Sequence, residues 1–168
     1  MDISGVTMQT ELNNPYFEIK ELSDKKVFLK QKTGGVILVP KFKRDYLLIS
    51  IERYGSDKAY LEFPRGFAEV GETLERAAIR EFKEELGVEP IGVSKWLGNL
   101  KTDLGLIDDN VAAFELTVAD TQKVVVQKNE GLKAYSFVTE SELERLIREN
   151  VIVDNFTIAA YFLSKLKS

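Results

Sequence analysis

The chain has 168 residues, 44% hydrophobic and 30% charged, with a formal charge of −4; this length suits one domain with a sizeable core, and the acidic balance argues against a broad basic surface for nucleic acid. It contains no cysteine and no histidine, which excludes disulfides, thiolate chemistry and imidazole as base or metal ligand, so catalysis would fall to carboxylates, lysines, tyrosines, hydroxyls or bound metal. No basic segment followed by an apolar run opens the sequence, and stretches such as 36–39 and 47–51 are too short to span a bilayer, so the expectation is a soluble, cytoplasmic protein without a membrane partner.

The first half reads as strands. Residues 27–29, 35–39 and 46–51 are rich in β-branched and aromatic side chains, with a polar turn at 43–45. Residues 59–63 form a short strand that Pro64 stops, because proline cannot donate to a ladder. A loop over 65–71 leads to a helix over 73–86, which Gly87 ends. Strands are expected at about 94–101, 110–118 and 133–138. Thr139 and Glu142 match a capping box for a helix over about 141–149, and Asp154 caps a last helix reaching about Leu166. No repeat, low-complexity stretch or long linker interrupts this order. The pattern is α+β, a mixed sheet between helices rather than alternating βαβ units.

The helix over 73–86 carries an anomaly. At about 100° per residue, Leu74, Ala77, Ala78, Ile79, Phe82 and Leu86 form one apolar arc, with Arg76, Arg80 and Lys83 on the other side. Glu81 and Glu85 fall inside the apolar arc, and Glu84 lies at its edge. Glutamates on helices mostly face water, but like charges at this spacing oppose helix formation and are costly to bury. A multivalent cation among their oxygens would offset that cost, and carboxylates suit hard ions such as Mg²⁺ or Mn²⁺.

Loop and helix together, from Gly66 through Glu72, Arg80, Glu81, Phe82, Glu84, Glu85 and Gly87 to Val88, resemble the Nudix box GX5EX7REUXEEXGU, in which U is bulky and apolar. Every fixed position matches, and Phe82 is a less usual but apolar choice for U. The resemblance implies a Nudix fold, a mixed β-sheet sandwiched between helices, as one domain over 1–168. It implies metal ligation by Glu81, Glu85, Glu84 and the backbone carbonyl of Arg65, and bracing of the carboxylates by Glu72 and Arg80, with Gly66 and Gly87 supporting the turns. Arg80 also stands one helical turn from Glu84, where a plain surface ion pair is the alternative.

The similarity extends beyond the box. Glu62-Phe63-Pro64-Arg65-Gly66 is similar to the E-L-P-A-G approach of ADP-ribose pyrophosphatases and nucleoside diphosphate sugar hydrolases, and Ile51-Glu52-Arg53-Tyr54 to their preceding strand, which ends in a substrate-facing arginine. Residues 152–160, with Asp154, Thr157 and Ala160, resemble their closing helix. These parallels imply substrate contacts from Arg53, Glu62 and Arg65, and a catalytic set of Glu85, Glu84 and a later loop glutamate. Glu130, beside Gly131, is the candidate base, with Glu115 and Glu140 as weaker options. Phe17 or Tyr54 could stack on a nucleobase or simply pack. Two departures bear on the group beyond the diphosphate: Arg65 replaces a small residue, and 102–105 lacks the proline found in that group.

The implied reaction is metal-assisted attack of water on a P–O–P bridge in ADP-ribose or a related nucleoside diphosphate sugar, giving two phosphate-bearing products. Dinucleoside polyphosphates or nucleoside triphosphates are the alternative substrates. A non-catalytic nucleotide sensor is a third reading, disfavoured because no box carboxylate is missing. The resemblance also implies a homodimer, with 1–33 as an N-terminal strand extension and 16–32 contributing to the partner's site.

Overall fold

The computed structural model describes residues 14–21, 27–53, 56–121, 124–125 and 131–168. Ten strands and three helices are assigned among them: β1 (Phe17–Glu21), β2 (Val27–Gln31), β3 (Gly35–Phe42), β4 (Asp45–Glu52), β5 (Ala59–Glu62), β6 (Arg65–Phe67), α1 (Leu74–Leu86), β7 (Pro90–Leu100), β8 (Ile107–Asp108), β9 (Val111–Val118), β10 (Leu132–Val138), α2 (Glu140–Arg148) and α3 (Asn155–Leu166). The main sheet runs β10-β4-β3-β9-β7, and β1-β2-β8 form a smaller second sheet. β1 lies within the expected N-terminal strand extension, whereas β6 and β8 are not among the strands read from the sequence. The sequence reading assigned Arg65 and Gly66 to a loop, whereas they pair with β3; a three-residue strand with a central glycine carries no alternation to detect.

β3 explains the architecture. Along its length Val36 and Leu38 belong to one core, Ile37 and Val39 to another, because successive side chains leave opposite faces of a strand. The first core is covered by α1 through Ala77, Ala78, Phe82 and Leu86. The second is covered by α2 and α3 through Leu143, Leu146, Ala160 and Tyr161. A sheet buried on both faces needs near-continuous apolar strands, and residues 35–40 are all buried. The result is the expected α/β/α sandwich. The sheet is mixed because β9 runs parallel to β3 while β4, β6 and β7 pair antiparallel with their neighbours.

One feature of the topology positions the site. β3 and β4 pair only next to their connecting turn, at Lys41↔Tyr46 and Phe42↔Asp45. Beyond that they diverge: the far part of β3 pairs with β6, and the far part of β4 pairs with β5. The segment from Ala59 to Phe67 is thus wedged between two diverging central strands. No helix among the described residues is long and apolar enough to cross a membrane.

Candidate active site

α1 is fixed at both ends. Thr73 Oγ1 accepts a hydrogen bond from Arg76 N (3.3 Å), and Gly87 takes the left-handed conformation (φ 66°) with its N–H donated to the Lys83 carbonyl. Such caps satisfy backbone groups that a helix cannot satisfy itself. Between them Ala77, Ala78, Phe82 and Leu86 are buried. Glu81 and Glu85 are half-buried, one turn apart, and Glu84 is exposed, as the helical arc requires.

Arg80 joins this helix to the loop before it. Its Nε and Nη2 fork onto the two oxygens of Glu72 (3.1 and 3.0 Å), and Nη2 also donates to the Phe67 carbonyl (2.7 Å). Nη1 donates to Glu81 Oε1 and Glu84 Oε2, each at 2.9 Å. The surface pair with Glu84 therefore exists, but as one of four partners. The Arg80 bonds hold the Glu72 carboxyl below the ordinary glutamate value, and the same bonds push the guanidinium further above its own. Glu72 in turn accepts from Glu69 N (2.9 Å), so the loop closes on its own carboxylate.

Gly66 is where loop and helix meet. A Cβ built on it would collide with the carboxyl group of Glu81, so only glycine allows this approach. The adjacent carbonyl is also available. Leu38 N donates to the Pro64 carbonyl (2.8 Å) and Ala68 N to that of Gly34 (2.7 Å). With Ile37 opposite Arg65, these bonds make that pair the non-hydrogen-bonded kind, which turns the Arg65 carbonyl away from β3. A carboxylate pressed on the glycine, a neighbouring carbonyl outside the ladder and further glutamates one turn along make an all-oxygen donor set. That set fits a hard divalent ion, and Glu81, Glu84, Glu85 and the Arg65 carbonyl would hold it. Among the described residues the acidic side chains are not gathered into a closed cage; Glu81 and Glu84 instead share Arg80.

The side chain of Arg65 leaves β6 on the face opposite to the one on which Gly66 meets Glu81. It pairs with Glu62 (3.5 Å) and Asp154 (3.4 Å), and its guanidinium lies over the Phe156 ring, 5.4 Å from the centroid. Glu62, only 1% exposed, also binds Arg53 Nη2. Burial pushes the Glu62 carboxyl above its ordinary value, against the pull of the Arg53 bond. Arg53 Nε is buried and meets no acceptor among the described residues. The three residues assigned to substrate from sequence, Arg53, Glu62 and Arg65, thus form one cluster.

The candidate bases separate. On β9, Phe114 and Leu116 face the α1 core, which places Glu115 on the opposite face, where it accepts from Ser164 Oγ (2.5 Å) and pairs with Lys41 (3.4 Å). Glu140 pairs with Lys165 (3.0 Å) between α2 and α3. Both are engaged away from the α1 carboxylates. Glu130 and Tyr54 lie outside the described residues. Phe17 packs edge-on against Phe67 (5.4 Å), and Tyr16 stacks on the same ring (4.4 Å, 19°). Sequence reasoning missed the Tyr16–Phe67 stack, since nothing local links a residue before β1 to the box.

Comparison with curated proteins finds no match. Among solved structures, the crystal structure of an ADP compounds hydrolase superposes with a TM-score of 0.69 at 19% identity, covering 89% of this chain and 82% of that one; at that identity the likeness concerns the fold. The family model of the NUDIX domain matches residues 29–157. That span takes in β3, the wedged β5–β6 segment, all of α1 and the first turn of α3, so box, sheet and family match coincide, and the chain belongs to the Nudix hydrolase family.

Proposed function

We propose that this enzyme cleaves the diphosphate linkage of a nucleoside diphosphate joined to a second moiety, with ADP-ribose or a related nucleoside diphosphate sugar as substrate. The observation that carries the reading is the pairing of two unlike sites on the short segment from Glu62 to Gly66. At one end Glu62 fixes the guanidinium of Arg53; at the other Gly66 admits the Glu81 carboxylate. A bridged diphosphate needs cationic partners on both phosphates, and an arginine beside a carboxylate-held ion supplies two. The name of the structural neighbour, a hydrolase of ADP compounds, supports adenine as the base.

Glu81, Glu84, Glu85 and the Arg65 carbonyl would hold Mg²⁺ or Mn²⁺. When bound, the ion supplies Lewis acidity to the diphosphate and acidifies the attacking water. The protein's own groups do the rest. Arg53, with a buried Nε that meets no acceptor among the described residues, donates to a phosphate oxygen. Arg80 keeps Glu81 and the loop in register through its bonds to Glu72 and Phe67. Glu130 takes the proton of the water as its oxygen attacks one phosphorus. The bridging P–O bond then breaks, and two phosphate-bearing products leave. The stacked Tyr16 and Phe67 rings, the former 40% exposed, offer a surface for the base.

The chain acts as a homodimer in this reading. The small sheet β1-β2-β8 stands apart from the main one, and it and the neighbouring 104–106 turn leave Ile19, Val27, Leu104 and Leu106 exposed, an apolar group that a second copy would cover. Sedimentation at micromolar concentration tests this point.

The deciding assay incubates the purified chain with Mg²⁺ or Mn²⁺ and a panel of ADP-ribose, other nucleoside diphosphate sugars, dinucleoside polyphosphates and nucleoside triphosphates, with products identified by ³¹P NMR. ADP-ribose or a nucleoside diphosphate sugar should give the highest kcat/KM and two monophosphates. Preference for a polyphosphate would replace the substrate class, and no turnover at all would remove the reading.

A further inference from the structure

The first turn of α3 contributes no metal ligand and no base, yet it makes several separate contacts with the wedged segment that carries the site. Thr157, fully buried, accepts a hydrogen bond from Phe63 N through its hydroxyl (2.9 Å), across 94 residues of sequence. The same hydroxyl donates to Asp154 Oδ2 (2.7 Å), which also accepts from Thr157 N (2.8 Å) as the helix cap. Asp154 Oδ1 meets Arg65 Nη1 at 3.4 Å, and Phe156 lies under the same guanidinium. On its other edge the segment is tied to β3 by Leu38 N bonding to the Pro64 carbonyl. Residues 63 to 65 are therefore held from both sides, by β3 and by the α3 cap.

We propose that Asp154 and Thr157 are positioning residues for metal binding: the α3 cap clamps Phe63 to Arg65 from the face opposite α1, and so sets where the Arg65 carbonyl and Gly66 meet the Glu81 carboxylate. This rests on the metal reading given above. The physical reason is alternation along β6. The Arg65 side chain reaches one face while Gly66 opens to the other, so an anchor at α3 fixes the ligand side without occupying it. Groups that orient ligands affect metal affinity strongly although they never touch the ion. Arg65, placed where the related hydrolases carry a small residue, extends this clamp, because a small side chain could not reach Asp154.

The test uses the full chain freed of metal by chelation and titrated with Mn²⁺ alone, with free Mn²⁺ followed by electron paramagnetic resonance and unfolding followed in parallel. Asp154→Asn keeps a good cap but loses the charge that faces Arg65. Thr157→Val removes the acceptor for Phe63 N, and Thr157→Ser restores it. The expected result is Mn²⁺ affinity weakened roughly tenfold or more by Asp154→Asn and Thr157→Val, recovered in Thr157→Ser, with the Asp154→Asn melting temperature close to that of the parent. Wild-type binding with the same affinity in all variants, whatever their stability, would overturn the clamp alone. A wild-type chain that binds no Mn²⁺ would overturn the metal reading and the clamp with it.

Discussion

Gly66 and Glu81 occupy one space: the carboxyl group of Glu81 sits where a side chain on residue 66 would have to be. Gly66→Ala should therefore separate folding from chemistry. The obstructing atoms are the far end of a flexible side chain, so Glu81 can swing away, and alanine also restricts the unfolded chain. Stability by urea unfolding should stay within about 1 kcal/mol of the parent. Because displacement of a group at a site by about 1 Å can cost roughly 100-fold, kcat/KM should fall by about that factor. Full activity would mean that this contact has no part in the reaction.

Glu85→Gln keeps the shape of the side chain and removes its charge. With Glu85 holding the ion as proposed, loss of that charge should lower kcat by at least about 100-fold. The residue is only half-buried, so the melting temperature should move by no more than about 2 °C. An unchanged rate would mean that the ion is held elsewhere.

Arg80 and Glu72 make a pH prediction. The folded carboxyl of Glu72 titrates below its ordinary value because Arg80 holds it. A depressed carboxylate stabilises the fold above the unfolded value of about 4.3 and loses that contribution as pH falls through the folded value. Glu72→Gln should accordingly be less stable than the parent at neutral pH, and the gap should close in acid, as read from thermal unfolding between pH 7 and pH 2.5. Arg80→Lys should lose activity too, because an ammonium group cannot reproduce the fork onto Glu72 while also reaching Phe67.

Glu62 has the opposite sign. Its folded value is raised by burial, so its contribution is fully present below the unfolded value and is lost as pH rises through the folded one. Arg53→Met removes the hydrogen bond that pulls the value down, so the loss should extend to higher pH. The stability gap between parent and variant should stay constant through the unfolded value of about 4.3, begin to widen only as pH rises through the parent's raised folded value, and reach roughly 2–3 kcal/mol once the parent's Glu62 is ionised. A gap independent of pH would show that Arg53 acts by packing alone.

The sequence made the layout of the candidate site legible where local rules apply. The acidic residues inside the apolar arc of α1 could be read from helical period alone, and Glu81 and Glu85 are half-buried beside Ala77, Ala78 and Phe82. The caps Gly87, Thr139 and Asp154 are equally readable, because capping chemistry spans only a few residues, while Thr73, counted with the helix from its sequence, is its N-cap. Contacts between distant segments were not readable. Nothing near Thr157 announces its bond to Phe63 N, and nothing near Tyr16 announces the Phe67 ring. The parallels that assign Arg65 to substrate do not say which way its side chain turns, and it turns toward Asp154 and Phe156; strand register decides that, and a three-residue strand gives too little pattern to fix register from sequence.

The parallel pairing of β3 with β9 has a consequence for the order of folding. It sets Gly35 beside Val111, and the whole box lies in the chain between them. Contacts of such long sequence separation form slowly, because the loop must close before the pairing rewards it. During synthesis α1 therefore meets a floor that β3 and β4 have already supplied in part, through Val36, Leu38, Leu47 and Ile49, while the share owed to β9, Ala112, Phe114 and Leu116, arrives only later. The helix that carries the box is thus covered in two stages, the second only after the chain has run on to Val118.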